Sequence, residues 1–396
     1  MSNKAKTTAM TNDPKPALTP KLRFPEFRDA EGWDADQLGE VADFVSEKIP
    51  LGQITLASYV STENILADFG GVTCASKLPT TGSVTRYRPN DTLVSNIRPY
   101  LKKVWVADKE GGASNDVIVI RAKQPLLKQY LSCLLKNDAF INYVMTGAKG
   151  VKMPRGDVGS MKEYPTFYPS KPEQQKIADC VTSVDELIVV QTGKLDVLKA
   201  HKDGLMQQLF PREGETNPRI RFPEFQGSWS GGQLESLCVS ISSGNDQRKA
   251  DGEFDLYGST GVIGKTARAS YHVPHILVAR VGANAGHLTR AAGQFGVTDN
   301  TLVISLKSSV NMDFVYYYLE NKNINKLIFG SGQPLITGTI LKNLQVFLPS
   351  SLEQRRVAGC LAALDDLIAV QTQKVEVLKA HKKGLMQELF PSMEDA

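Results

Sequence analysis

The sequence predicts a mixed α/β fold with two globular domains separated by two long antiparallel coiled-coil helices, related by a pseudo-two-fold axis. Three observations predict it. Residues 169–211 and 349–391 align without a gap at an offset of 180, with about 26 of 43 positions identical. A second motif opens each half: Leu22-Arg-Phe-Pro-Glu-Phe27 returns as Ile220-Arg-Phe-Pro-Glu-Phe225, followed by Trp33 and Trp229 respectively. The stretches between these repeats are rich in β-forming runs and turn residues rather than helical period. The chain therefore reads as globule, helix, globule, helix.

In order, residues 1–19 form a flexible N-terminal tail, 20–168 the first globule and 169–211 the first helical region. Residues 212–348 form the second globule, 349–391 the second helical region and 392–396 a short C-terminal tail. A chain of 396 residues, 41% hydrophobic and 22% charged, suits two or three soluble domains. The tail carries Lys4 and Lys6 but no apolar core, unlike a signal peptide, and no apolar run reaches the ~18–20 residues that span a bilayer. The five cysteines are scattered without a C-x-x-C pair, which points to reduced thiols and a cytoplasmic protein.

Both helices open on an S-x-x-E capping box, Ser170 to Glu173 and Ser350 to Glu353. Pro172 suits an early helical position, where its missing N–H costs nothing. Apolar residues then recur at alternating steps of four and three. The first seam is Ile177, Val181, Val184, Ile188, Leu195, Leu198, Leu205 and Leu209. The second is Val357, Leu361, Leu364, Ile368, Val375, Leu378, Leu385 and Leu389. Both are interrupted at the same two places, by Gln191 and Gln371 and by Lys202 and Lys382. Polar residues within a seam fix register and orientation at some cost in stability. Pro211 and Pro391 end the helices. Two such seams in one chain bury each other most simply as an antiparallel pair.

The globules share a layout but differ in sequence. Thr92–Arg98 corresponds to Ile276–Gly282, and Ser114–Ile120 to Thr298–Ile304, two β-rich runs. An amphipathic helix follows each, around Leu126–Val144 and Met312–Phe329. Gly-rich loops, Gly147–Arg155 and Gly330–Pro334, then lead to a last strand. Between Gly71 and Pro165 there are 15 Lys and Arg against 7 Asp and Glu; between Ser242 and Asn343 there are 10 against 7. Such local excess, with flexible loops, suits contact with double-stranded DNA. The candidate contacts are Arg98, Lys102, Lys103, Lys149, Lys152 and Arg155 in the first globule. In the second they are Arg248, Lys249, Lys265, Arg280, Asn284 and Gln333. Arginine can read guanine, and Asn or Gln adenine, through paired hydrogen bonds.

Catalytic and metal patterns fail one by one. Gly258–Thr266 resembles a phosphate loop, but its glycine spacing is wrong and Lys265 reads as a hairpin-tip residue. Asn96-Ile-Arg-Pro-Tyr100 lacks the first proline of an adenine methyltransferase motif and reads as a strand end. His272, His275 and His287 lack zinc-ligand spacing, and His201 and His381 have no nucleophile partner. The sequence predicts no catalytic residue, no metal and no cofactor in this chain.

The helix pair with its Glu-Gln openings (Glu173-Gln174 and Glu353-Gln354), its L-K-x-H-K-x-G-L-M-Q-x-L-F-P endings and the L-R-F-P-E-F motif resembles the type I restriction-modification specificity subunit. Tyr257-Gly-x-x-Gly-x-Ile-Gly264 is similar to that family too. The resemblance implies that each globule is a target recognition domain for one half of an asymmetric bipartite DNA sequence. It implies that the helices set half-site spacing and dock two methyltransferase (modification) subunits and restriction/translocase subunits. S-adenosylmethionine, ATP and Mg would then sit on those partners. A solitary DNA-binding regulator, or a coiled-coil adaptor binding protein alone, would use the same scaffold.

Overall fold

The computed structural model describes residues 19–327 and 335–391. They fall into two compact units, residues 19–190 with 375–391 and residues 191–327 with 335–374. Each unit contains one globule and one half of each long helix.

The long helices run over Lys171–Leu209 and Ser351–Glu388. Their seams bury as the heptad spacing requires: Ile177, Val181, Leu195, Leu209, Val357, Leu361, Val375 and Leu389 are buried, and the other apolar seam positions half-buried. Within each unit the two half-helices lie antiparallel. In the first unit Lys382 reaches Asp185 at 2.6 Å, and in the second Lys202 reaches Asp365 at 2.7 Å. These aspartates are the partners of the two lysines that interrupt the seam. The glutamine interruption is also paired, Gln371 Nε2 donating to the Gln191 carbonyl at 2.9 Å and to its side-chain Oε1 at 3.0 Å.

The globules repeat one plan. In the first unit an antiparallel sheet runs in the order Ala42–Phe44, Val117–Ala122, Thr92–Ser95, Val104–Val106. Its counterpart is Cys238–Ser243, Thr301–Leu306, His275–Ala279, Leu288–Ala291. A second sheet differs. It has four strands in the first unit (Lys48–Pro50, Ser83–Tyr87, Gly111–Ala113, Tyr59–Val60) and three in the second (Gly261–Thr266, Phe254–Gly258, Phe295–Val297). A two-stranded ribbon joins the start of each globule to its end, Asp34–Gln37 with Pro165–Tyr168 and Ser230–Gln233 with Gln345–Leu348.

The helix expected over Leu126–Val144 is two, Lys128–Leu135 and Asp138–Thr146. Asn137 breaks it, because its side-chain oxygen accepts the Ala139 N–H at 3.0 Å while its amide donates to the Met386 carbonyl at 3.2 Å. The second expected helix, Met312–Phe329, ends at Lys322, where Asn323 turns left-handed at φ 49°. A short helix unforeseen in the sequence, Val158–Lys162 or Gly338–Lys342, precedes the last strand of each globule.

The globules hold the helix ends through aromatic packing. Phe390 lies 5.5 Å from Tyr130 and 6.5 Å from Trp33. In the second unit Phe210 lies 5.4 Å from Phe314 and 5.6 Å from Tyr318. Burying each phenylalanine contributes roughly 1.5–3 kcal/mol. All five cysteines are free thiols. Among the described residues no helix is long and apolar enough to cross a membrane.

Candidate DNA interface and its helical frame

In the first unit the strand Thr92–Ser95 ends in a short turn whose flanks, Arg98 and Lys102, are both left-handed, at φ 51° and 53°. The Arg98 N–H donates to the Pro154 carbonyl at 2.8 Å, and Arg155 bridges to both Ile97 and Lys149. These contacts make residues 149–155 a projecting hairpin. Gly150, at φ 97°, supplies its turn. The hairpin brings Arg98, Lys149, Lys152 and Arg155 to one exposed edge. Val151 is fully exposed and Met153 about half exposed. Lys149 is held by Asp157 at 3.2 Å and Arg155 by Asp116; among the described residues Arg98 and Lys152 make no ion pair. Lys102 and Lys103 turn inward instead. Lys102 pairs with Asp138 at 2.8 Å, and Lys103 Nζ donates to the Thr62 carbonyl at 2.6 Å.

The second unit gathers its candidates into two groups. Arg248, Lys249 and Lys265 share one edge of the three-stranded sheet, with the Lys249 N–H on the Lys265 carbonyl at 2.8 Å. A Cβ on Gly264 would come within 2.8 Å of Arg248 Nε, so the glycine lets the guanidinium lie across the strand. Lys265 is no hairpin tip: it pairs with Asp255 in the ladder and through its ammonium at 2.8 Å, while Ser259 and Thr260 form the turn. Arg280 lies at the end of His275–Ala279, its N–H on the Asn300 carbonyl at 2.9 Å. Asn284 is exposed in the turn before Leu288–Ala291. Gln333 and the loop Gly330–Pro334 lie outside the described residues.

The frame that carries these loops recurs in both units, and its working residues were only half visible in the sequence. Glu173 and Glu353, read as helix-capping acids, are buried and do something else. Arg23 grips Glu173 with two hydrogen bonds of 2.8 Å, and Arg221 grips Glu353 at 2.6 and 2.7 Å. The repeated L-R-F-P-E-F motif is therefore a clamp onto the start of each long helix. Paired guanidinium–carboxylate contacts are strong and directional, which suits that role. The neighbouring glutamines act as staples. Gln174 accepts the Leu127 N–H at 2.9 Å and donates to the Pro169 carbonyl at 2.9 Å. Gln354 does the same with Asn311 and Pro349, at 3.0 Å each. The sequence shows an arginine repeated in one motif and a glutamate repeated in the other, but only packing shows that they meet, and the staple has no such sequence signal.

The helices also carry apolar residues that face away from the seam. In the first unit Leu187, Val190 and Val377 are 42%, 63% and 60% exposed; in the second Leu367, Val370 and Val197 are 55%, 66% and 68% exposed. His201 and His381 are exposed. Among the described residues no group of three His, Cys, Asp or Glu could hold a metal.

The model of the type I restriction modification DNA specificity domain matches this chain twice, over residues 30–200 and 240–380. The chain is 22% identical over 405 residues to the type I restriction enzyme MjaVIII specificity subunit of Methanocaldococcus jannaschii, covering 92% of this chain and 93% of that protein. It is 31% identical over 114 residues to the EcoprrI specificity subunit of Escherichia coli, 29% of this chain and 28% of that protein. In fold it is similar to the type I S subunit from M. genitalium, with a TM-score of 0.63 at 17% identity over 95% of this chain and 100% of the other. A further structure, described as showing complex assembly and conformational transition of a type I system, matches with a TM-score of 0.56 at 19% identity, covering 91% of this chain and 98% of that one. With both copies of the domain matched across most of its length, the chain belongs to the type I restriction-modification specificity subunits.

Proposed function

We propose that the two globules are target recognition domains reading the unlike halves of one bipartite DNA sequence. The supporting observation is the contrast within the chain. The Arg–Glu clamp, the glutamine staple and the Lys–Asp pair recur in both units with nearly the same distances, whereas the second sheet and the basic loops differ. A constant frame with variable loops separates holding from reading. Phosphate contacts by Lys and Arg fix position on DNA, and base-edge contacts in the grooves carry sequence. In the first unit the hairpin 149–155 with Arg98 is the reading element; in the second the edge formed by Arg248, Lys249 and Lys265 is.

The exposed apolar positions on the long helices are, in the same reading, the docking faces for modification subunits, with restriction subunits added to that assembly. S-adenosylmethionine, ATP and Mg belong to those partners, and this chain supplies sequence choice. Methylome sequencing of cells expressing the complete system tests the reading: an asymmetric, two-part methylated motif is expected. Replacing residues 71–165 by the equivalent part of another specificity subunit should change one half of that motif. Change in both halves, or no motif, would refute it.

A further inference from the structure

Contacts that the two units share fix which of their positions are equivalent. Leu127 and Asn311 donate to equivalent glutamines, so Ser132 matches Tyr316, Cys133 matches Tyr317 and Lys136 matches Glu320. Strand pairing of Val94 with Val104, and of Val278 with Leu288, makes Val106 the counterpart of Arg290. The repeat offset equates Asp185 with Asp365 and Lys382 with Lys202.

In the second unit these positions form a filled, charge-matched cluster. The Arg290 guanidinium lies 4.4 Å from the centre of the Tyr316 ring and reaches Asp365 at 3.3 Å. The Tyr317 hydroxyl donates to Asp365 at 2.6 Å. Lys202 spans Asp365 at 2.7 Å and Glu320 at 3.2 Å. In the first unit Val106, Ser132, Cys133, Lys136 and Asp185 line a cavity of about 600 Å³, and Lys382 stands behind its wall, paired with Asp185 at 2.6 Å. Valine and serine stand where the guanidinium and the ring would be. Lys136 stands where Glu320 would be, so Lys382 has a second ammonium nearby in place of a second carboxylate. Among the described residues Lys136 makes no ion pair, and burial holds its ammonium below the ordinary lysine range, opposed by the Asp185 charge and aided by that of Lys382. The cavity wall continues onto Val189 and Val190, which are 69% and 63% exposed.

We infer that this cavity receives an aromatic side chain with a nearby carboxylate, presented by the modification subunit. The ring takes the space beside Ser132 and Val106, and the carboxylate pairs with Lys136, the lining ammonium that has no ion pair among the described residues. The second unit shows the chemistry that satisfies such a site, since its own tyrosine and glutamate occupy it. Continuity with the exposed valines favours a polypeptide occupant over a small metabolite. This inference rests on the docking reading above.

The test uses the full chain with its co-expressed modification subunit, and two variants. Val106→Arg with Ser132→Tyr fills the cavity as in the second unit, and Lys136→Glu supplies the missing carboxylate from within. In the wild type, hydrogen exchange of Lys128–Leu135 should slow when the modification subunit is added, and each variant should lose at least tenfold of that protection. Unchanged protection in both variants, or a complex that leaves this helix unprotected, overturns the inference. If no complex forms, the docking reading itself fails. The cavity is then judged by 3-(4-hydroxyphenyl)propionate in NMR titration. Saturable binding weakened at least tenfold by Lys136→Glu supports the site chemistry, and no binding refutes it.

Discussion

Arg23 and Glu173 are joined by two hydrogen bonds of 2.8 Å across 150 residues of sequence, and the glutamate side chain is 1% exposed. Removing one member of such a pair leaves the other buried and uncompensated, at a cost of about 3–5 kcal/mol. Arg23→Ala should therefore destabilise the first unit by that order, seen as early urea unfolding or proteolysis of residues 20–168. Arg221→Ala should cost less in the second unit, because the Trp229 indole N–H also donates to Glu353, at 3.3 Å, whereas the Trp33 indole has no partner among the described residues. Equal losses would contradict this account of the clamp.

The hairpin 149–155 yields a prediction about DNA. Removing a cation that neutralises one phosphate lowers the salt slope of binding by about one. Replacing Lys149, Lys152 and Arg155 together by alanine should lower it by about two to three and weaken discrimination within one half of the target. The preference for the other half should stay as it was. Binding measured against salt, on targets mutated in each half, distinguishes this from a general fall in affinity.

Acid should loosen the second unit through Asp365. Burial opposes its charge, but hydrogen bonds from Lys202 and Tyr317 and the charges of Lys202 and Arg290 outweigh that, holding the carboxyl below its ordinary value of 3.8. A depressed value means that the stabilisation is complete above pH 3.8 and is lost as pH falls through the lowered folded value. Asp365→Asn should be less stable at neutral pH and should lack that acid-dependent loss. Parallel curves for variant and wild type in acid titrations followed by circular dichroism would contradict it.

The Gln191–Gln371 pair should trade stability for register. Replacing both with leucine should raise stability by roughly 1–2 kcal/mol, as apolar residues do in a coiled-coil seam. The same change should permit alternative helix pairings, seen as higher oligomers in sedimentation. A stabilised variant that stays uniform would show that the Lys–Asp pairs fix the register alone.

Much of this fold was legible because the chain contains it twice. The seam from Ile177 to Leu209 follows from heptad spacing, and its recurrence from Val357 to Leu389 leaves the two surfaces to each other. The Arg23–Glu173 clamp was hidden because a glutamate three residues after a serine has a purely local explanation, and only packing reveals a partner 150 residues away. The break at Asn137 depends on the carbonyl of Met386, equally remote along the chain. Among the basic candidates, type and position could not separate Lys152, on the projecting hairpin, from Lys103. The Lys103 ammonium is consumed by the Thr62 carbonyl, a contact decided by how the β-strands stack.

The Leu22 N–H donates to the Glu388 carbonyl at 2.9 Å, and the equivalent Ile220 N–H donates to the Gln208 carbonyl at 3.1 Å. The second of these joints is bridged by the covalent loop 210–219, whereas the first brings together segments more than 360 residues apart in sequence. The two joints are equivalent in packing, so a covalent connection could serve either of them. Segments that lie together, as Leu22 and Glu388 do, tolerate being joined while the chain is opened elsewhere. A permuted gene that begins near Asn217, runs through residue 391, continues through a short linker into Pro20 and ends at Pro211 should encode the same two readers in reversed order.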